Sequence, residues 1–185
     1  IEKGESFVIV THVSPDGDAI GSALGLFHFL NAYGKENVSV IVPNDYPNFL
    51  KWMPGTKDVT IYEKYPEFSE QLISDADVIF CLDFNDPKRI EKLADPVLKS
   101  EARKVLIDHH LHPVEFCNVT MSYPNISSTS EMVFRFICRM GLFDLIDKNA
   151  AECIYTGMMT DTGAFTYNSN HPEIYTIIGE LIKLG

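Results

Sequence analysis

FVIVTHVSPDGDAIGSALGLFHFL, residues 7–30, joins an apolar run, a polar loop and an apolar periodic segment in direct succession. The first part, Phe7 to Thr11, is a continuous β-branched and aromatic run, typical of a strand buried on both faces. After the loop, apolar residues recur at helical spacing, at Ile20, Leu24, Phe27 and Leu30. The segment therefore predicts a strand followed by a helix that ends near Gly34.

The rest of the chain continues this alternation. Further strands are predicted at residues 38–42, 59–62, 77–82, 104–107 and 165–167. Further helices are predicted at residues 67–74, 88–98, 128–140 and 148–159, the third opened by a serine-to-glutamate capping box. Strands that alternate with helices need crossover connections. The sequence thus predicts an α/β fold, a mainly parallel sheet flanked by helices. We expect Phe49 and Trp52 to lie in its core.

Composition limits the classes of function. The chain has 185 residues, 45% of them hydrophobic, and a formal net charge of −11 at pH 7. This charge argues against binding long duplex nucleic acid, but a small phosphate substrate is compatible with it if cations neutralise some of the carboxylates. No apolar run approaches the about 20 residues of a membrane span, so no membrane partner is expected.

The cysteines and the two ends of the chain indicate its redox state and its extent. The four cysteines lack metal-ligand spacing and lie among apolar residues, which predicts reduced thiols in a cytoplasmic protein. The chain begins at Ile1 rather than Met, and Gly185 follows directly on an apolar helical pattern. We therefore expect residues 1–185 to be one domain of a longer protein, and we leave a homodimer open.

Acids and imidazoles follow the predicted strands. They occur in four separate segments, and in chain order they are His12, Asp16, Asp18, Asp83, Asp86, Asp108, His109, His110 and Asp161. Ligands of open parallel sheets bind at the carboxyl ends of the strands, so these side chains are expected at one edge. Mixed carboxylate and imidazole ligands suit manganese, iron or magnesium better than structural zinc.

Each of these residues also has a structural interpretation when taken alone. An aspartate after a strand is commonly a helix cap or turn former, and a single histidine there is commonly a satisfied polar residue. The joint occurrence in four segments favours a metal centre. Gly21 and Ser22 are expected to open the first helix, leaving free amides for a phosphate. His28 and His171 are expected to be structural or exposed.

These residues carry a family resemblance. The stretch from His12 to Ser22 resembles the first motif of DHH phosphoesterases, and Leu82-Asp83 resembles the second. Asp108-His109-His110 resembles the third motif, and residues 160–163 resemble the fourth. All four occur in family order. Among family members, the first motif is most similar to the bifunctional oligoribonuclease and 3′-phosphoadenosine 5′-phosphate (PAP) phosphatase type.

The resemblance implies a role for each residue. His12 and Asp16 would bind a first manganese ion, Asp18, His109 and Asp161 a second, and Asp83 would bridge the two. Magnesium or another divalent ion could replace manganese. Asp108 would orient an imidazole, and His110 would face the substrate phosphate. Ser128 and Thr129 would lie near the substrate. The small C-terminal domain of such enzymes, DHHA1, is not recognisable in residues 1–185.

The function implied is hydrolysis of short oligonucleotides or PAP by a water activated between two metal ions. A RecJ-like exonuclease, a cyclic-dinucleotide phosphodiesterase and a family II pyrophosphatase share the same metal ligands and remain alternatives. A metal- or nucleotide-binding module without activity is the non-enzyme alternative. No Walker loop or nucleophile elbow is present in the sequence.

Overall fold

A computed structural model describes all residues, 1–185. Six strands form one sheet in which every pairing is parallel, in the order β3-β2-β1-β4-β5-β6. In chain order the strands are β1 (Ser6–Val10), β2 (Asn37–Val42), β3 (Val59–Ile61), β4 (Val78–Leu82), β5 (Arg103–Asp108) and β6 (Val119–Ser122). The α/β prediction is confirmed.

Six α-helices cover the two faces of the sheet. They are α1 (Gly17–Ala32), α2 (Pro66–Ser74), α3 (Ala94–Lys99), α4 (Thr129–Arg139), α5 (Lys148–Asp161) and α6 (Pro172–Leu184). The larger core joins α1, α4, α5 and α6 to one face, and a smaller core joins α2 and α3 to the other. In β1, for example, Ile9 packs into the larger core and Val10 into the smaller one. This two-sided burial explains the continuous apolar runs of the strands. None of the helices combines the length and apolar character needed to cross a bilayer.

The strand order brings the first and fourth strands together. β1 pairs with β2 on one side and with β4 on the other, with Val10 opposite Cys81. Connections on the two sides of β1 therefore diverge, which leaves a crevice at the carboxyl ends of β1 and β4. β5 pairs with β4, with Leu82 opposite Ile107, so its carboxyl end lies at the same edge.

Two glycines let α5 pack closely on its neighbours. A Cβ atom on Gly21 of α1 would lie 2.6 Å from the carbonyl oxygen of Cys153 in α5, and one on Gly157 of α5 would clash with the Ser130 side chain of α4. Only glycine fits at such close approaches. The close packing brings the carboxyl end of α5 beside the start of α1.

Several local predictions were wrong. Residues 165–167 form a turn after α5, because Phe165 has φ 63° and its amide bonds to Thr162 Oγ1 at 3.0 Å. Residues 88–98 are a 3₁₀ segment, Pro87–Leu93, followed by α3, with a break at Glu91 (φ 47°). The short edge strand β6 was not predicted.

The aromatic pair was also wrongly assigned to the core. Phe49 is 67% exposed and Trp52 is 61% exposed. They lie in or next to a short 3₁₀ segment, Asn48–Leu50, in which Leu50 is the buried residue.

Candidate metal centre

Acidic and imidazole side chains meet at the carboxyl edge of the sheet. His12 follows β1, Asp83 follows β4, Asp108 ends β5, and Asp161 ends α5. Three sets of potential ligand atoms each lie within 4.8 Å of one another: His12, Asp16 and Asp83; Asp18, His109 and Asp161; and Asp83, His109 and His110. The four segments thus converge as the strand-end pattern predicts.

The first set is built on the loop between β1 and α1. The His12 ring donates from Nδ1 to the Val13 carbonyl at 2.8 Å, which directs Nε2 toward the acids. Nε2 lies 3.4 Å from Asp83 Oδ2 and 3.8 Å from Asp16 Oδ1. Asp16 also caps α1, accepting from the Asp18 and Ala19 amides at 3.0 Å. One carboxylate therefore caps the helix and faces the imidazole.

The second set lies between α1, β5 and α5. His109 Nε2 is 3.5 Å from Asp161 Oδ2 and 3.9 Å from Asp18 Oδ2. Its Nδ1 lies 3.3 Å from the Ile126 carbonyl oxygen. Because a carbonyl can only accept, Nδ1 carries the proton and Nε2 is free to bind a cation. Asp18 is buried, whereas Asp161 is partly open to solvent.

Asp83 lies between the two sets. It is 2% exposed, and its Oδ1 is 3.7 Å from His109 Nε2 while its Oδ2 faces His12. Its backbone has φ 64°, a left-handed conformation that costs free energy in most residues and is concentrated at functional sites. Its amide bonds to the Ile107 carbonyl at 3.2 Å, so β5 holds this turn.

The start of α4 holds two of the acids in place. The amides of Thr129 and Ser130 donate to the Asp18 carboxylate at 2.7 and 2.8 Å. The Thr129 hydroxyl donates to Asp83 Oδ1 at 2.9 Å. The first amides of a helix lack partners within it, and the helix dipole favours anions there. The α4 N-terminus therefore compensates for the burial of acidic groups.

Asp108 and His110 form a separate pair at the end of β5. Asp108 is fully buried and accepts from the His110 amide and from His110 Nδ1, both at 2.8 Å. The His110 side chain is 35% exposed, and its ring contacts His109 edge to face at a centroid distance of 4.7 Å. The hydrogen bond to Asp108, opposed by burial, raises the pKa of His110.

The acids perturb one another strongly. Burial and the carboxylates of Asp83 and Asp161 raise the pKa of Asp18 well above its usual range. Burial raises the pKa of Asp161 to about 6, with His109 opposing the shift and Asp83 adding to it. These shifts mean that the cluster is unfavourable as a set of bare carboxylates and is stabilised by positive charge.

His12 and Asp16 respond in the complementary way. Burial lowers the pKa of His12, but the Asp16 and Asp83 carboxylates outweigh burial and raise it to about 10. Burial raises the pKa of Asp16, but the His12 imidazole and the Ala19 and Asp18 amides lower it to about 2. A proton on His12 thus provides positive charge that a cation could replace.

The residues suit a divalent cation. His12 Nε2 is buried and makes no hydrogen bond of good geometry, although carboxylates surround it. An unpartnered ring nitrogen among oxygen ligands is the donor arrangement expected of a manganese, iron or magnesium site. The absence of thiols from all three sets argues against a structural zinc site.

Comparison with known proteins identifies the family. Residues 6–158 match the DHH family, N-terminal domain. The chain belongs to the DHH family. The match covers all six strands and every candidate ligand except Asp161, and it agrees with the resemblance of the sequence motifs.

Relatives of this DHH domain include enzymes with assigned substrates. It is 35% identical, over 96% of its length, to the bifunctional oligoribonuclease and PAP phosphatase NrnA of Thermus thermophilus, and it covers 49% of that protein. It is 24% identical to the cyclic-di-AMP phosphodiesterase GdpP of Bacillus subtilis, of which it covers 26%. The chain thus spans about half the length, or less, of these curated relatives.

A solved structure resembles the domain more closely. The crystal structure of an exopolyphosphatase-related protein from Bacteroides fragilis is 62% identical and superimposes with a TM-score of 0.98. It covers the whole DHH domain described here, which corresponds to 54% of that chain. The fold is therefore shared with an experimentally determined structure.

The three residues predicted to lie near the substrate, Ser22, Ser128 and Thr129, are all buried. The helix begins at Gly17 rather than near Gly21, so Ser22 is fully buried inside α1 and its hydroxyl donates to the Ala19 carbonyl at 3.2 Å. Ser128 is the buried N-cap of α4, and the buried Thr129 contacts Asp18 and Asp83. The predicted free amides at Gly21 and Ser22 are wrong.

Ser130 was missed by sequence reasoning. The capping box at Ser128 located the start of α4 correctly, and this start implies free amides in the next residues. Nothing local indicates that Asp18, distant in the chain, would accept from them.

Thr129→Val provides a test of how the acids are held. Valine preserves the shape and the amide of residue 129 but removes the hydroxyl that bonds to Asp83. If the Asp83 carboxylate holds a divalent cation, manganese affinity is expected to fall about 10–100-fold, the usual effect of losing a group that orients a ligand. Thr129→Ser retains the hydroxyl and is expected to bind manganese as the parent does. Equal affinities of Thr129→Val and the parent in a calorimetric titration would contradict this role.

Proposed function

We propose that this chain is a divalent-metal-dependent phosphoesterase that hydrolyses short oligonucleotides and nucleoside 3′,5′-bisphosphates such as PAP. The observation that carries the proposal is a pair of ligand sets, one on each side of Asp83, at the carboxyl edge of a parallel sheet. The relatives named as oligoribonuclease and PAP phosphatase support this substrate class. Since the chain spans about half of their length, the activity and substrates of the whole protein are part of the proposal.

Two manganese ions are the proposed cofactors. His12 and Asp16 would hold one, Asp18, His109 and Asp161 the other, with Asp83 between them; two of the three ligand sets at the centre support this assignment. Cations bound there would supply positive charge for the phosphate and lower the pKa of an attacking water. The oxygen-rich ligands also suit magnesium, and manganese is preferred because each set includes an imidazole.

His110 is proposed to act on the substrate itself. Asp108 accepts from its Nδ1–H, which leaves Nε2 as the ring nitrogen available to a substrate, and the side chain is 35% exposed. A protonated Nε2 could stabilise a phosphoryl oxygen or donate its proton to the leaving oxygen. Asp108 is the positioning residue, because a buried carboxylate that accepts from Nδ1 fixes both the tautomer and the direction of the ring.

Small substrates are favoured over long polyanions. The net charge of −11 opposes long nucleic acid and long polyphosphate alike. Because the similar Bacteroides fragilis protein is described as exopolyphosphatase-related, inorganic polyphosphate is a substrate to compare. We propose a small nucleotide substrate and a cytoplasmic location, the latter supported by four free cysteines, of which Cys81 and Cys153 are buried.

Manganese addition tests the proposed function. We expect manganese to raise the melting temperature of the chain by several degrees, since a ligand at 100 times its dissociation constant stabilises by about 2.7 kcal/mol. Hydrolysis of bis-p-nitrophenyl phosphate, a diadenylate and PAP should require added manganese and should stop when a chelator is added. If the chain is folded and no divalent ion changes its melting temperature, the proposal is overturned. Faster cleavage of polyphosphate than of diadenylate would reassign the substrate.

A further inference from the structure

A neutral cleft opens beside the metal centre. It has a volume of about 240 Å³ and lies between the turn at residues 124–127 and the segment 168–171 after α5. His109 belongs to both places, because its ring lines the cleft while its Nε2 faces Asp161 at 3.5 Å. The cleft therefore adjoins the metal centre, close enough for one small substrate to occupy both.

Carboxamides dominate the polar lining. Asn125, Asn168 and Asn170 are all exposed and line the cleft together with His171. Each carboxamide offers two donors and an acceptor, the same groups that nucleobase edges display. The lining contains no Lys, Arg, Asp or Glu. A second phosphate group would need Lys or Arg side chains as partners, and the cleft has none. The acids of the neighbouring metal centre would also repel it.

The segment that carries the two asparagines is anchored by its middle residue. Ser169 between them is buried, and its hydroxyl donates to the Phe165 carbonyl at 2.8 Å. Phe165 in turn packs on the Tyr155 ring at a centroid distance of 5.8 Å. Because the middle residue points inward, Asn168 and Asn170 are both left at the surface. Asn168 has φ 49°, a conformation that asparagine tolerates better than most residues.

The opposite wall is held as firmly. The Ser127 amide donates to the buried carboxylate of Glu131 at 3.2 Å, and Glu131 also pairs with Arg135 at 2.7 Å. The Ile126 amide donates to the Tyr123 carbonyl at 3.0 Å, closing the turn. These contacts give the backbone of both walls defined hydrogen-bond partners, and an ordered backbone lowers the cost of binding a ligand.

We propose that this cleft binds the nucleoside attached to the reacting phosphate, with Asn168 and Asn170 as specificity-determining residues that hydrogen-bond the base. This inference rests on the proposed phosphoesterase function and identifies the base as the part of the substrate that the protein recognises. The cleft, at about 240 Å³, lies below the about 300–1,000 Å³ of pockets for drug-sized ligands, so it suits a single nucleoside, and the rest of a longer substrate would lie outside it.

A matched pair of chromogenic esters tests the proposal. Bis-p-nitrophenyl phosphate and p-nitrophenyl thymidine 5′-phosphate release the same leaving group, but only the second carries a nucleoside. In the double variant Asn168→Ala with Asn170→Ala, kcat/KM for the thymidine ester is expected to fall about tenfold, as for one or two lost hydrogen bonds. For the nucleoside-free ester, kcat/KM should stay within about twofold of the parent. Asn149→Ala, an exposed asparagine on α5 outside the cleft, is the control and should change neither value.

Each outcome decides the question. Equal losses for both esters, or no loss for either, would overturn the nucleoside site. If the parent hydrolyses neither ester, the proposed function fails, and binding alone then tests the cleft. In that case thymidine 5′-monophosphate should shift the side-chain amide NMR signals of Asn168 and Asn170, whereas ribose 5-phosphate should not. Identical shifts with both ligands, or none, would overturn the inference.

Discussion

Asp83→Asn is expected to reduce manganese-dependent hydrolysis about 10³-fold. Asp83 is the only carboxylate that contacts imidazoles of both main sets, His12 and His109. The variant should lose several kcal/mol of transition-state stabilisation by the bound cations. Since each 1.36 kcal/mol changes the rate tenfold, this loss corresponds to about 10³-fold. Asparagine keeps an oxygen for the Thr129 hydroxyl and tolerates φ 64°, so the variant removes charge with little strain.

The same variant is expected to be more stable than the parent when no metal is added. Asp83 raises the pKa of both Asp18 and Asp161, so the variant relieves repulsion with two carboxylates while it weakens the favourable contact with His12. Removing one charge should raise the melting temperature in a chelator by about 2–4 °C, for about 1 kcal/mol in a chain of this size. Such an exchange of stability for function is common at active sites.

Thermal melts with and without manganese distinguish the two effects. Asp83→Asn should lose most of the manganese-induced rise that the parent shows. Asp144→Asn, an exposed acid in the 3₁₀ segment Phe143–Leu145, is the control and should keep both the rise and the activity. If Asp83→Asn melted below the parent in a chelator, the account of repulsion would be wrong. If it kept full manganese-dependent activity, the bridging role would be wrong.

His110→Asn is expected to lower kcat about 10²-fold while manganese binding persists. The asparagine side-chain nitrogen can occupy the position of Nδ1 and continue to donate to the buried Asp108, so the fold is preserved. The variant lacks Nε2, the atom proposed to reach the phosphate. Loss of a general acid typically costs 10²–10⁴-fold.

The matched variant is His110→Gln, whose longer amide can reach the position of Nε2 and is expected to recover part of kcat. Both variants should show the manganese-induced rise in melting temperature of the parent. Because His110 also lies within 4.8 Å of ligand atoms of Asp83 and His109, a direct ligand role predicts a different result. Loss of the manganese response in His110→Asn, to the extent seen in Asp83→Asn, would identify His110 as a ligand.

Local sequence was sufficient to predict most of the elements and the gathering of acids. Buried strands are recognisable because both faces of β1 and β4 are covered, which leaves unbroken apolar runs. Asp83 and Asp108 end or follow such runs, and parallel strands deliver their carboxyl ends to one edge. The prediction failed at β6, an edge strand, and at residues 165–167, where a bond to Thr162 overrides strand propensity.

The sequence by itself therefore determined the fold class and the kinds of side chain that reach the centre, because strand and helix periods and residue types are local properties. Tertiary structure alone decided how those residues are held and what surrounds them. The amides of Thr129 and Ser130 meet Asp18 only because α4 begins beside the start of α1, more than 100 residues away in sequence. The cleft next to His109 likewise joins two turns that no local pattern links. Free backbone amides and cavity walls depend on which elements become neighbours, and that choice is made by packing of the whole chain.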